Sequence, residues 1–138
     1  MLFRSSLHGM NQAYVKEYLM RYVEFFNGEI LNSGKYIRDF SKGNQNKIGI
    51  AAALMQNPEL LILDEPFANL DPTTQIRLKT LVKNLRTTHS VTTLISSHDL
   101  NHVTDVCDRI ILLEKGIVIK DIRTTENTLK ELETYFAD

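Results

Sequence analysis

The chain has 138 residues, 43% of them hydrophobic and 24% charged, with a formal net charge of -1. That length suffices for one globular unit with its own core, and the near-neutral balance gives no ground for a nucleic-acid partner. No apolar run approaches the ~18 residues needed to span a membrane, Met1 to Met10 lacks the apolar core of a signal peptide, and the single Cys107 excludes an internal disulfide, so the sequence reads as that of a cytoplasmic chain.

Met1 to Met10 shows no clear period and reads like a continuation of something that began earlier. Asn11 is suited to cap a helix to about Phe26, with Val15, Tyr18, Leu19, Tyr22, Val23 and Phe26 at helical spacing as a core stripe. Gly28 to Gly34 is turn-rich and leads to Lys35-Tyr36-Ile37, which reads as a short extended piece. Ser41 is a good N-cap and Gly43 permits close backbone approach. Ile48, Ala51, Ala52 and Met55 then fall at i, i+3, i+4 and i+7 on one helix face. The free N–H groups of such a helix start form a site for an anion; plain capping is the alternative.

Leu60 to Leu63 is an unbroken apolar run between Asn57-Pro58 and Pro66, the pattern of a buried central parallel strand. Asp64 and Glu65 follow directly, which puts both carboxylates at the carboxyl end of the strand, where open α/β sheets hold their ligands. Mg2+ needs only one or two carboxylates beside substrate phosphates, which suits Asp64. Glu65, one residue further on, is placed to orient or deprotonate a water aimed at a phosphate. Solvated loop residues or helix caps are the alternative for an isolated apolar-Asp-Glu run.

Asp71 and Pro72 form an N-cap with proline at the first helical position. Leu78, Leu81, Val82 and Leu85 give that helix its buried stripe, and Lys79, Lys83 and Arg86 read as its solvated face. Val91 to Ile95 is a second buried strand, with His98 beyond its end on the same side of the sheet as Asp64. Asp99 to Cys107 reads as a short helix in which Cys107 is a small buried residue. Arg109 to Leu113 and Ile117 to Ile122 read as strands joined by a Lys115-Gly116 hairpin turn, glycine supplying φ > 0. Thr128 with Glu131 three residues on reads as a capping box for a last helix carrying Leu129, Leu132 and Phe136.

Taken together, Phe40-Ser41-Lys42-Gly43-Asn44 resembles the signature motif of ATP-binding-cassette (ABC) ATPases, usually Leu-Ser-Gly-Gly-Gln. Leu60 to Glu65 resembles their Walker B strand with its catalytic glutamate, Ala68 to Asp71 their D-loop, and His98 in Ile95-Ser96-Ser97-His98-Asp99 their H-loop histidine. The motifs stand in the family's order over roughly residues 11 to 122. Lys42 replaces the first glycine, resembling a variant found in cassettes that serve exporters, and Asn44 replaces the glutamine with an amide on a shorter arm.

The resemblance implies an α/β fold: the C-terminal part of a P-loop NTPase (RecA-like) nucleotide-binding domain. Its parallel sheet would carry flanking helices, with a helical subdomain at the N-terminus and a C-terminal β-hairpin. About 1–56 would form the helical subdomain and signature helix, and about 57–138 the Walker B to C-terminal part of the core. It implies ATP and Mg2+ as ligands, with Asp64 on the metal, Glu65 and His98 catalytic, and Ser41, Lys42, Gly43, Asn44 and Asp71 on nucleotide. Ser41 and Gly43 would act on the ATP of the opposite subunit, and Asp71 would face that subunit.

The partners implied are a transmembrane transporter subunit and a second ABC ATPase subunit, at the inner face of the cell membrane. Only 15 residues separate Asn44 from Leu60, which argues against the DNA-repair and chromosome relatives with their long insertions.

A P-loop needs Gly-x-x-x-x-Gly-Lys-[Ser/Thr], so that backbone N–H groups surround the β-phosphate. The only Gly-Lys pair, Gly34-Lys35, is followed by Tyr36 and has Glu29 at the place of the first glycine. The family's Walker A, Q-loop and adenine-stacking aromatic lie upstream of the residues matched here, so the chain is expected to hold ATP poorly and to be inactive alone. A truncated, non-hydrolysing cassette that binds a full ABC subunit is the alternative. In the family's sheet the P-loop strand lies between the strands matching Val91 to Ile95 and Arg109 to Leu113, so a gap or two unpaired edges are expected there.

Overall fold

The computed structural model describes residues 11–21, 25, 30, 34–55 and 57–137. Asn11 caps the first helix, α1 (Gln12–Met20), its side chain accepting the Tyr14 N–H at 2.8 Å. Val15 and Tyr18 are buried. The expected continuation through Tyr22, Val23 and Phe26 lies outside the described residues, as do Met1 to Met10 and most of the turn from Gly28 to Gly34.

Lys35-Tyr36-Ile37 is not a strand. Tyr36 is extended, but Ile37–Asp39 forms a 3-10 turn closed by Asp39 N–H to Tyr36 O at 3.0 Å. With no described strand beside it, the backbone is satisfied locally.

Helix α2 (Lys42–Leu54) starts at Ser41, whose hydroxyl accepts the Asn44 N–H at 3.3 Å. Ile48, Ala51 and Met55 are buried as their spacing predicts, joined by Ile50 and Leu54. Lys47 is buried on the same helix at 5% exposure.

Strands β1 (Leu60–Asp64) and β2 (Thr92–Ser96) are parallel, in register from Leu60 beside Thr92 to Asp64 beside Ser96. The crossover between them is α3 (Pro72–His89). Asp71 caps this helix and Pro72 opens it. Leu61 and Leu63 pack with Leu78, Val82 and Leu85 of α3, Ile50, Ala51 and Leu54 of α2, and Val15 and Tyr18 of α1.

The pair is covered on one face only, which corrects the expectation of two fully buried strands. Ile62 is 64% exposed and Leu94, its register partner, 56%. An unbroken apolar run says that both faces are fit for burial; nothing among the described residues lies over this one.

Asp99 caps α4 (Leu100–Val106), accepting the Asn101 and His102 N–H groups at 2.9 and 3.2 Å. Strands β3 (Arg109–Glu114) and β4 (Ile117–Arg123) form an antiparallel hairpin. Lys115 (φ 50°) and Gly116 (φ 81°) are both left-handed at its turn, the pattern of a two-residue hairpin loop matched to strand twist.

Helix α5 (Thr128–Ala137) begins without the expected capping box. Thr128 is already helical and buried, and its hydroxyl accepts the Thr125 N–H at 2.8 Å. Leu132 is buried but Phe136 is exposed, edge-on to Tyr135. Leu132, Val103 and Ile110 form a second, smaller core, and Cys107, half-buried rather than buried, touches both cores.

The strands therefore form two separate two-stranded sheets, with no hydrogen bonding between β2 and β3 among the described residues. That is where the resemblance implies a gap or two unpaired edges. No described helix is long and apolar enough to cross a membrane.

Candidate functional site

Asp64 and Glu65 stand at the carboxyl end of β1, and Ser96 to His98 at that of β2, so parallel pairing in register brings them together. The Asp64 carboxylate accepts the Ser96 hydroxyl. The Glu65 N–H donates to Ser96 O at 3.1 Å and approaches Ser96 Oγ at the same distance. Nδ1 of His98 lies 2.8 Å from Oε1 of Glu65. That hydrogen bond, and then the carboxylate's charge, raise the His98 pKa above 6.5. Asp64, Glu65 and His98 are thus one cluster, open to solvent, with His98 86% exposed.

Glu65 has φ 44° and Asn69 φ 60°, so the segment from Glu65 to Asn69 leaves the strand in a tight reversal. Ala68 N–H donates back to Glu65 O at 3.1 Å. The reversal ends at Asp71, whose carboxylate accepts the Thr74 N–H at 3.0 Å and the Thr74 hydroxyl at 2.5 Å. Those two bonds hold its pKa below the usual 3.8, with a smaller contribution from the Lys47 charge. Asp71 is fully engaged as a helix cap in this chain.

The start of α2 rests on the same reversal. A Cβ on Gly43 would lie 2.7 Å from the Asn69 carbonyl oxygen, so close backbone approach is what the glycine serves. Ser41 and Lys42 are exposed at the helix start, with Gly43 and Asn44 behind them. The Ser41 hydroxyl is used as a cap, and the site residues therefore form two groups: Asp64, Glu65 and His98 at the strand ends, and Ser41 to Asn44 with Asp71 around the reversal.

Sequence reasoning missed Ser96, Asn46 and Lys47. Ser96 was open to discovery, since the residue paired with Asp64 in a parallel register must lie beside it. The Asn46 amide, donating to Pro66 O at 2.9 Å, and the burial of Lys47 have no local sequence signal. A cleft of about 420 Å³ lined by Lys83, Arg86, Asp105, Cys107, Asp108 and Arg123 contains none of the candidate site residues.

Among the described residues no cluster of three or more His, Cys, Asp or Glu forms a protein-only metal cage. A single carboxylate such as Asp64 would suit Mg2+ only in the other manner, in which phosphate oxygens and water would complete the shell.

A family profile described as "ABC transporter" matches residues 11–68. Over 136 residues the chain is 35% identical to the uncharacterised ABC transporter ATP-binding protein YhaQ of Bacillus subtilis, covering 99% of this chain and 43% of that protein. The chain is therefore similar in sequence to the ATP-binding subunits of ABC transporters.

It is 29% identical over 119 residues to the methionine import ATP-binding protein MetN of Carboxydothermus hydrogenoformans, covering 86% of this chain and 35% of that protein. The fold resembles that of the ATP-binding cassette MJ0796, solved as a dimer in a post-hydrolysis state with ADP and phosphate. The TM-score is 0.74 at 25% identity, over 84% of this chain and 50% of that one. The chain thus spans half or less of the length of these relatives, and it has the α/β architecture of an ABC cassette. Asp64 and Glu65 fall within the matched profile, whereas Asp71 and His98 lie beyond its end.

Proposed function

We propose that this chain is part of an ABC transporter's ATP-hydrolysing subunit, spanning its helical subdomain, signature helix, Walker B strand, D-loop and H-loop. The observation that carries this reading is the convergence of Asp64, Glu65 and His98 at the carboxyl ends of two parallel strands. Glu65 would activate a water for attack on the γ-phosphate, and His98 would hold the Glu65 carboxylate and present its remaining N–H to that phosphate. Asp64 and the Ser96 hydroxyl would hold Mg2+, which when bound neutralises charge between the phosphates.

Ser41, Lys42, Gly43 and Asn44 would meet the ATP of a second subunit, with Asp71 facing that subunit. Residues 1–56 would face a transmembrane subunit, at the inner surface of the membrane. No described segment has the glycine-rich turn that surrounds a β-phosphate, so the 138 residues alone would not hydrolyse ATP.

Lys42, a cation at the signature start, supports an exporter-type system. The name of MetN, a methionine import protein, favours import as a second reading. A non-hydrolysing cassette that binds an intact subunit is supported by the edges of β2 and β3 that are unpaired among the described residues.

The test is to read the coding DNA upstream of Met1 for an in-frame Gly-x-x-x-x-Gly-Lys-[Ser/Thr] run. Phosphate release from ATP is then measured for the longest chain that the frame encodes, wild type against Glu65→Gln. Hydrolysis that falls by about 10²-fold or more in the variant is the expected result. A variant that keeps the wild-type rate removes Glu65 from the chemistry. A frame without the run, and no hydrolysis, puts the non-hydrolysing reading first.

A further inference from the structure

We propose that Asn46 and Gly43 are positioning residues for Glu65, through which the start of α2 and the carboxylate at the end of β1 move as one unit. The proposal rests on the reading of Glu65 as the water-activating group and adds what holds it in place.

A residue with a Cβ resists the left-handed conformation of Glu65, so the reversal persists only where its surroundings over-determine it. On the β2 side the Glu65 N–H is held at Ser96. Beyond it Pro66 and Phe67 are buried, the Phe67 ring lies 4.6 Å from that of His102, and the Gln75 amide approaches Phe67 O at 3.3 Å.

The remaining side is α2. Asn46 Nδ2 donates to Pro66 O at 2.9 Å, a bond spanning twenty positions to the carbonyl one residue past Glu65. Three residues earlier, Gly43 brings the helix backbone against Asn69 O, at the far end of the reversal. Residues three apart share one face of a helix, so the two contacts grip the reversal at two points from one rigid turn.

That turn is the one at whose start Ser41 and Lys42 are exposed to an approaching anion. A tilt of the helix start carries Asn46 and Gly43 with it, and Pro66 O and Asn69 O follow. The direction of Glu65, and with it the hydrogen bond to His98, is then set by what sits at the signature helix.

The test uses the 138-residue chain without nucleotide. Hydrogen exchange of the amides from Glu65 to Leu70 and the ring resonances of His98 are compared between wild type, Asn46→Ala and Asn46→Gln, with the β3–β4 hairpin amides as internal reference. Asn46→Ala is expected to speed exchange in the reversal about tenfold, as for loss of one hydrogen bond. It should also move the His98 ring signals toward those of a Glu65→Gln chain, with the hairpin unchanged. Asn46→Gln, which keeps an amide donor, should restore part of both.

Wild-type exchange and ring signals in Asn46→Ala overturn the proposal. So does a uniform rise that includes the hairpin, since Asn46 then serves the fold at large. Should Asn46→Ala not fold, Gly43→Ala is read in the same way, its methyl pressing on Asn69 O. None of these readouts involves ATP, so the coupling can fail while hydrolysis stands, and the reverse.

Discussion

Nδ1 of His98 and Oε1 of Glu65 are 2.8 Å apart across 33 positions of sequence, joining the carboxyl ends of β1 and β2. The bond strengthens when the imidazole is protonated, which raises the His98 pKa above its ordinary 6.5. The stability it contributes is fully present below 6.5, the unfolded value, and is lost as pH rises through the higher folded value. An NMR titration of the His98 ring should show a midpoint above 6.5 in wild type and one near 6.5 in Glu65→Gln. A wild-type midpoint at or below that value would mean that the contact is not made in solution.

Asp105 of α4 gives the opposite dependence. Its two carboxylate oxygens lie 2.8 Å from Lys79 and 2.8 Å from Lys83 of α3. Hydrogen bonds from Lys79 and then Lys83 lower its pKa below 3.8. Its contribution is present above 3.8 and lost as pH falls through the lower folded value. Because Asp105 is partly exposed, Asp105→Asn should cost about 1 kcal/mol or less at neutral pH, a difference that vanishes at strongly acid pH in urea melts. A pH-independent difference would assign the loss to packing of α4.

Leu78 is fully buried between α3 and the covered face of β1. Leu78→Ala should destabilise the chain by about 3 kcal/mol, against a few tenths for Ile76→Ala at an exposed position of the same helix. Urea melts of the two variants decide it: similar losses would place the helix in a different rotation about its axis.

Both helix starts at the site were legible because Ser41 and Asp71 each sit directly before a periodic run, and a cap acts on its own chain within three residues. The placing of Asp64, Glu65 and His98 at one end of the sheet was legible because each follows an apolar run within three residues. The covering of those runs was not. Leu60 and Ile62 are as apolar as Leu61 and Leu63, and only the neighbours present decide which pair is buried. Asn46 and Lys47 were invisible for a related reason: a polar residue inside a helix looks solvated until a loop twenty or more positions away arrives over it. Phe136 shows the reverse error, an apolar residue at core spacing that is exposed on the last turn.

The open face leads to the last prediction. Ile62 and Leu94 lie side by side in register, both more than half exposed, next to an edge of β2 with no described strand beside it. An apolar face beside free backbone donors and acceptors is a template for another chain. Made alone, the 138 residues should therefore self-associate, with sedimentation and thermal unfolding that depend on concentration. Ile62→Thr with Leu94→Thr should shift the chain toward monomer. Because both side chains are exposed, each change should cost no more than about 0.5 kcal/mol of folding stability. A sharp monomeric transition, independent of concentration in wild type, would show that this face is already covered by the chain's own residues.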